Sequence, residues 1–312
     1  ANLKGFSAGF DAATSNISED ESSEPKTYFT STELSPGALA GRIEREYPGV
    51  ALGMVAEGVS RLLDYQDAEY AGLYLDRLDR IRDLDSRTGG PDSNFQLTVE
   101  TAKIMAHWMA FEDIIRVADI KTRPERFARV RQEVGARPGE PLVIVDFLKP
   151  GLEEFCSLLP SFIARPILRI AEKYDKLDSF NLGIHLKSTS AFGYLLLRFI
   201  SKLKAWRRRG YRYANEQLMI ERWLAAAASA VKLDRSIALE IVDCGRLIKG
   251  YGETHRRGTR NLKRILETVI EPAIHGQIQI SAVDVANIRS AALTEESPGA
   301  LDQALDDLTS RS

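Results

Sequence analysis

Apolar residues recur at every third or fourth position along most of the chain, and this spacing predicts amphipathic helices. Val55, Val59 and Leu62 form one such stripe, and Ile104 and Trp108 begin another. The predicted helices follow one another with short connections, and strand signals are few. We therefore predict an all-α fold: a multi-helix, bundle-like domain with at most one or two short strands.

Polar composition at the two ends sets the predicted domain limits. Residues 1–30 combine a stretch carrying Phe6 and Phe10 with an acidic segment, and we expect the tail of an upstream domain followed by a flexible linker. Residues 31–293 are the predicted helical domain. Residues 294–312 are again rich in Ser, Glu and Asp and are expected to be disordered. Inside the helical domain, residues 142–145 predict a short strand or an extended segment.

Composition narrows the class of protein. The chain has 312 residues and a formal net charge of −2, so bulk charge does not favour nucleic-acid binding. No apolar run reaches the roughly 18 residues that a membrane-spanning helix needs. Cys156 and Cys244 lack metal-ligand spacing and are expected to be small core residues in a reducing cytosol. We expect a cytoplasmic protein with neither nucleic acid nor a membrane as a partner.

Residues 247–258 hold three glycines interleaved with basic side chains. Gly250 or Gly252 can adopt positive φ and end the preceding helix. Such a turn can direct backbone N–H groups and cations at one anion. The alternative, which spacing alone favours, is a corner between two helices with its basic side chains in water. The anion-binding candidates are Lys249, Gly250, Tyr251, Gly252, Glu253, His255, Arg256, Arg257, Lys121 and Arg123.

A second basic cluster closes the predicted helix that starts at Ser188. Arg207, Arg208 and Arg209 stand at its end, where cations complement the helix dipole. If this cluster meets the other basic residues in space, it favours an acidic protein partner, and these three arginines are the candidates for docking.

Signals for catalysis are weak. The chain has no P-loop, no dinucleotide-binding glycine pattern and no nucleophile elbow. Its four histidines are not spaced as a helix-borne metal site requires. Glu253 and His255 leave open an autonomous enzyme with His255 as general base. We nevertheless assign no catalytic and no metal-binding residue.

Six blocks of sequence, in one order, carry a family resemblance. The blocks are residues 57–67, 74–78, 113–123, 146–151, 206–209 (Trp206-Arg207-Arg208-Arg209) and 249–258. Together they resemble the C-terminal helical region of the beta subunit of bacterial indolepyruvate ferredoxin oxidoreductase, over about residues 50–275. One departure is Glu253, where the family reads Asp.

The resemblance implies a parent enzyme that oxidatively decarboxylates aryl 2-oxoacids to acyl-CoA and reduces ferredoxin. Thiamine diphosphate, iron–sulfur clusters and CoA would serve that complex, and none is expected to be bound by this chain. The chain would then be an accessory helical domain that does not turn over alone. Its partners would be the catalytic alpha subunit and ferredoxin. One hypothesis is subunit assembly or partner docking; the alternative is an anion or CoA-phosphate module built on turn 249–258.

Overall fold

A computed structural model describes residues 37–137, 139–148, 150–174, 183–294 and 299–310. The predicted all-α fold is confirmed, because helices dominate and the described residues contain a single two-stranded sheet. The predictions for residues 1–30 lie outside the described residues. In chain order, the α-helices are α1 (Gly37–Glu46), α2 (Gly49–Tyr65), α3 (Ala68–Arg87), α4 (Gln96–Met109), α5 (Ile114–Thr122), α6 (Pro124–Glu133), α7 (Leu152–Ser157), α8 (Ser161–Lys173), α9 (Ala191–Ser201), α10 (Tyr211–Ala230), α11 (Arg235–Cys244), α12 (Gly252–Ile265), α13 (Glu271–Ile274), α14 (Ala282–Leu293) and α15 (Ala300–Thr309).

Short polar side chains define where several of these helices begin. The Asp67 carboxylate accepts the Tyr70 N–H at the start of α3, and Asp113 accepts the Arg116 N–H at the start of α5. Ser281 and Asp284 form a reciprocal capping box at α14. Each cap satisfies backbone donors that the first helical turn leaves unpaired.

The sheet is a small antiparallel pair, β1 (Val145–Leu148) and β2 (Ile184–Lys187). Val145 pairs with Lys187, and Leu148 pairs with Ile184. A strand or an extended segment is predicted for residues 142–145, and only Val145 of these joins the ladder. The apolar run is not a buried strand, because Val143 is 67% exposed, and cross-strand pairing decides which residues join a ladder.

The helix predicted from Ser188 to Arg209 is divided in two. It ends as an α-helix at Ser201 and continues as the 3-10 segment Lys202–Arg209. Directly after α12, residues Leu266–Ile270 form a π-helical segment that leads into α13.

One large hydrophobic core draws on two separate stretches of chain. Its buried members lie between Ile43 and Met109 and between Ile220 and Leu308. The rings of Trp108 and Trp223 meet at its centre, with their centroids 5.5 Å apart. We call the helices that build this core, α1–α4 and α10–α15, the main bundle.

Residues 114–201 contribute no described side chain to that core. We call this insertion the small lobe; it contains α5–α9 and the β1–β2 pair. Its own buried cluster is Ala118, Leu186 and Leu197, where α9 packs on α5. The lobe is thus joined to the main bundle but shares little of its apolar interior.

The prediction that residues 294–312 are disordered is wrong for the helix Ala300–Thr309. Residues 294–312 include α15, and Leu301, Leu305 and Leu308 of that helix are buried in the main core. Their spacing places all three on one helical face, and burial of that face outweighs the polar composition around it.

Candidate functional site

The turn within the glycine-rich segment 247–258 is shorter than the segment itself. The 3-10 turn Gly245–Leu247 follows α11, and α12 already begins at Gly252. Gly250 and Gly252 have φ of 70° and 56°, as predicted for a helix-ending turn. Residues 253–258 lie inside α12, so half of the predicted turn 247–258 is helical.

Gly258 has a packing role instead. A Cβ built there would lie 2.0 Å from the backbone oxygen of Leu247, so only glycine lets α12 pack this closely on the 3-10 turn. The glycine pattern therefore has a structural cause at all three positions: two left-handed turn residues and one close approach.

His255 points into the main bundle rather than toward Glu253. Its Nε2 lies 2.7 Å from Oε1 of the buried Glu216, and the Trp108 indole N–H donates to Oε2 of the same carboxylate at 2.7 Å. Arg212 Nε also donates to Glu216, at 3.3 Å. Burial opposes ionisation of Glu216, but the hydrogen bond and charge of His255 and the charge of Arg212 hold its pKa below the ordinary value.

Glu253 pairs with another neighbour. Its Oε2 lies 2.7 Å from Nη2 of Arg256, whose Nε is 3.5 Å from Glu153. Burial raises the pKa of Glu153, and attraction by Arg256 opposes that rise. Glu253 and His255 thus have separate partners, and the arrangement gives His255 a role in packing α12 against α10 and α4.

Lys121 and Arg123 lie in α5 and just after it, and each contacts carboxylates of this chain. Lys121 Nζ lies 2.5 Å from Asp146, which Arg126 also contacts at 2.9 Å. Arg123 contacts Asp64 at 2.7 Å and Asp119 at 2.5 Å. These ion pairs connect α5 with β1 and with α2, and they occupy the positive charges that the anion hypothesis needed.

The three docking candidates differ in exposure and in the residues that they contact. Arg207 is 3% exposed and forms a two-point ion pair with Asp113, at 2.6 and 3.1 Å. Its guanidinium also lies 4.0 Å from the centroid of the Tyr65 ring. The prediction that Arg207 docks a partner is therefore wrong, because a buried and paired side chain cannot reach a partner.

Its two neighbours remain nearer the surface. Arg208 contacts Asp67 and Glu69 at 2.6 and 2.5 Å. Arg209 lies against the Trp206 ring, 5.3 Å from its centroid. The spacing of three consecutive arginines gave no sign that the first would be buried.

A groove lies beside the glycine-rich segment, between α2, α4 and residues 245–250. It consists of two recesses of about 480 and 280 Å³ that share Arg61, His107, Ile248 and Lys249. Gly250 and His255 line the smaller recess. Of the predicted anion-binding candidates, only Lys249, Gly250 and His255 line this groove.

Sequence reasoning missed Arg61 and Lys103, which line the larger recess together with Arg246. Both are exposed residues on predicted amphipathic helices, where a charge is ordinarily solvated. Nothing in the spacing of either residue signals that α2 and α4 bring them to one side of a recess.

Two further findings concern the described residues. No group of three or more His, Cys, Asp or Glu side chains among them could hold a metal ion. None of their helices is long and apolar enough to cross a lipid bilayer.

These features define the class: an all-α domain with a bundled core and an inserted lobe. A model of a family of unknown function, DUF6537, matches residues 52–268, and the chain belongs to this family. No curated protein and no solved structure matches the chain.

Proposed function

We propose that this chain is an accessory helical domain of a subunit of an indolepyruvate-type 2-oxoacid ferredoxin oxidoreductase, and that its small lobe docks on the catalytic subunit. The six resembling blocks lie within residues 50–275, nearly the same part of the chain as the family match at 52–268. The parent reaction would convert aryl 2-oxoacids to acyl-CoA in the cytoplasm, with its thiamine diphosphate and iron–sulfur clusters held by other parts of the complex.

The observation that carries the docking proposal is the apolar surface of the small lobe. On α9, Phe192, Leu195 and Phe199 are 75, 64 and 64% exposed, and their spacing forms one helical stripe. On α8, Phe162 and Ile170 are 77 and 60% exposed. Monomeric proteins rarely leave large apolar stripes exposed, and such stripes typically mark protein interfaces.

The character of the surface also indicates how the contact is made. The basic residues expected to dock a partner are largely paired within the chain: Arg207 with Asp113, and Arg208 with Asp67. Exposed aromatic and leucine side chains are typical anchors of stable interfaces. Docking through them is driven by apolar burial, which added salt does not screen. This replaces the basic-face mechanism with an apolar one while keeping the same partner.

A binding experiment that introduces negative charge into the apolar surface tests the proposal. The full chain, its Phe192→Asp/Phe199→Asp variant and a control, Val283→Asp, would be mixed with the catalytic subunit encoded beside it. Val283 is 66% exposed but lies on α14 of the main bundle. Size-exclusion chromatography at low and high salt would measure complex formation.

We expect a complex that persists at high salt, survives Val283→Asp and is lost in the double variant. A complex that dissociates with salt would instead support docking through basic residues. If no complex forms under either condition, the assembly proposal is contradicted. Ferredoxin, added as the second candidate partner, distinguishes docking of the catalytic subunit from docking of the electron acceptor.

A further inference from the structure

We infer that the groove between α2, α4 and residues 245–250 binds a small organic anion, with a phosphate or carboxylate group on a flat apolar body. This site is independent of the small-lobe surface and goes beyond the docking function. Its larger recess, about 480 Å³, is within the range of pockets that hold small molecules.

Two cations that line the groove without an ion pair to any described carboxylate are the first argument. Arg61 Nη1 lies 3.2 Å from His107 Nδ1, and none of the described carboxylates forms an ion pair with Arg61 or with Lys103. Two other groove cations differ, because Arg116 contacts Asp64 and Arg246 contacts Glu100, each at 2.8 Å. Arg61 and Lys103 therefore keep their charges available to a ligand.

His107 helps to hold Arg61 in place. Burial and the adjacent Arg61 charge lower the pKa of His107, so its imidazole is neutral near pH 7. A neutral Nδ1 can accept a hydrogen bond from the guanidinium, which leaves the other N–H groups of Arg61 to meet an anion.

The apolar lining is the second argument. Ile104 and Ile248 line the larger recess, and Trp108 and Phe111 line the smaller one. Such side chains suit the flat body of an aromatic acid or a nucleobase. A ligand that lies across both recesses could place its anionic group near Arg61, because Arg61 lines both.

Close helix packing shapes the floor. A Cβ at Gly58 would lie 2.5 Å from the Tyr74 hydroxyl, and one at Gly245 would lie 2.7 Å from Ile104. Because these two positions have no side chain, α2 packs closely on α3, and the 3-10 turn packs closely on α4. Both glycines line the larger recess.

Acidic residues limit the charge of the ligand. Glu57 lines the larger recess and Glu112 lines the smaller one, beside the cations. Their repulsion disfavours a long polyanion, so the ligand carries one or two negative charges. A nucleoside monophosphate and an arylcarboxylate share this chemistry.

Calorimetric titration of the full chain with AMP, indole-3-acetate and inorganic phosphate distinguishes these sources. Arg61→Gln/Lys103→Gln removes the two available cations, Lys103→Gln alone removes one, and Lys232→Gln removes an exposed cation outside the groove. We expect AMP or indole-3-acetate to bind with a measurable heat. Affinity should fall about tenfold or more in the double variant and stay unchanged in Lys232→Gln.

Binding of AMP alone would identify a phosphate ligand, and binding of indole-3-acetate alone would identify a carboxylate. Either result supports the inference, and so does binding of both. The inference is overturned if neither AMP nor indole-3-acetate binds. It is also overturned if inorganic phosphate binds as tightly as the two organic anions, or if the double variant binds them with unchanged affinity.

Discussion

Trp223 and Phe192 belong to the same chain but have opposite environments. Trp223 in α10 is fully buried, and its indole N–H donates to the Ile241 carbonyl at 2.8 Å. Phe192 in α9 is 75% exposed. Both helices carry apolar stripes, and among the described residues other helices cover the stripe of α10 but not Phe192, Leu195 and Phe199 of α9.

This contrast teaches what apolar spacing does and does not determine. A stripe indicates that a helix face avoids water, but it does not indicate whether the covering surface belongs to the same chain. In the main bundle the cover is internal. In the small lobe no described residue covers the stripe on α9, and we propose that a partner does.

A buried ion pair joins the two regions. Asp113 stands immediately before α5, where the chain enters the small lobe, and Arg207 follows α9, where the chain returns. Arg207 also donates to the Tyr65 carbonyl at 2.8 Å and to Gln66 at 2.7 Å. The two ends of the insertion are thus held together on the main bundle, so the lobe can present a fixed surface.

The largest expected effect breaks the main bundle. Trp223→Ala removes the ring that meets Trp108 and leaves a cavity, so it should lower the free energy of unfolding by about 3–5 kcal/mol. Denaturant titration followed by circular dichroism would measure the loss. A change below about 1 kcal/mol would contradict the assignment of Trp223 to the centre of the core.

The next effect tests the junction. Arg207→Ala leaves the Asp113 carboxylate buried without its partner, and breaking such a pair typically costs about 3–5 kcal/mol. Arg209→Ala is the matched control, because its side chain lies on the Trp206 ring and it should cost about 1 kcal/mol or less. Equal losses in the two variants, in the same unfolding assay, would argue against a buried junction.

A smaller effect concerns pH and Glu216. Its pKa in the folded chain is lowered from 4.5, so the unfolded chain binds its proton more readily. The stabilisation it gives is present above about pH 4.5 and is lost as the pH falls through the folded pKa. Unfolding midpoints measured from neutral into acidic pH should fall less steeply in Glu216→Gln than in the natural chain.

Glu133→Gln provides the control for that pH series. Glu133 is exposed and is 3.5 Å from Arg129, so its removal should leave the pH dependence nearly unchanged. If Glu216→Gln and Glu133→Gln follow the same curve as the natural chain, the ionised Glu216 does not stabilise the fold.

The smallest expected effect is on the open stripe. Phe192→Ser should change the free energy of unfolding by no more than about 0.5 kcal/mol, because the ring is largely in water. The same denaturant titration measures this change. A loss comparable to that of Trp223→Ala would mean that Phe192 is covered within the chain.

Most of the main bundle could be predicted from the sequence, because apolar spacing at Val55, Val59 and Leu62 reports directly on a buried helix face. The same signal was present at Leu301, Leu305 and Leu308, but the surrounding polar composition led to a prediction of disorder. The spacing of these leucines alone is sufficient to predict the helix, whereas the composition around them wrongly indicates disorder.

The candidate site was harder to predict because it depends on distant contacts. Asp113 and Arg207 are 94 positions apart, and Arg61 meets His107 over 46 positions. Spacing within one helix cannot tell a buried arginine from a solvated one. The positive φ of Gly250 and Gly252 was predictable, but the close packing at Gly258 required its neighbour Leu247 to be known.

The most direct test of the central claim is hydroxyl-radical footprinting of the small lobe, in the free chain and with the catalytic subunit. We predict that Phe162, Phe192 and Phe199 are labelled strongly in the free chain and protected in the complex, while Val283 is labelled equally in both. A complex in which these three phenylalanines remain fully labelled would contradict docking through the small lobe.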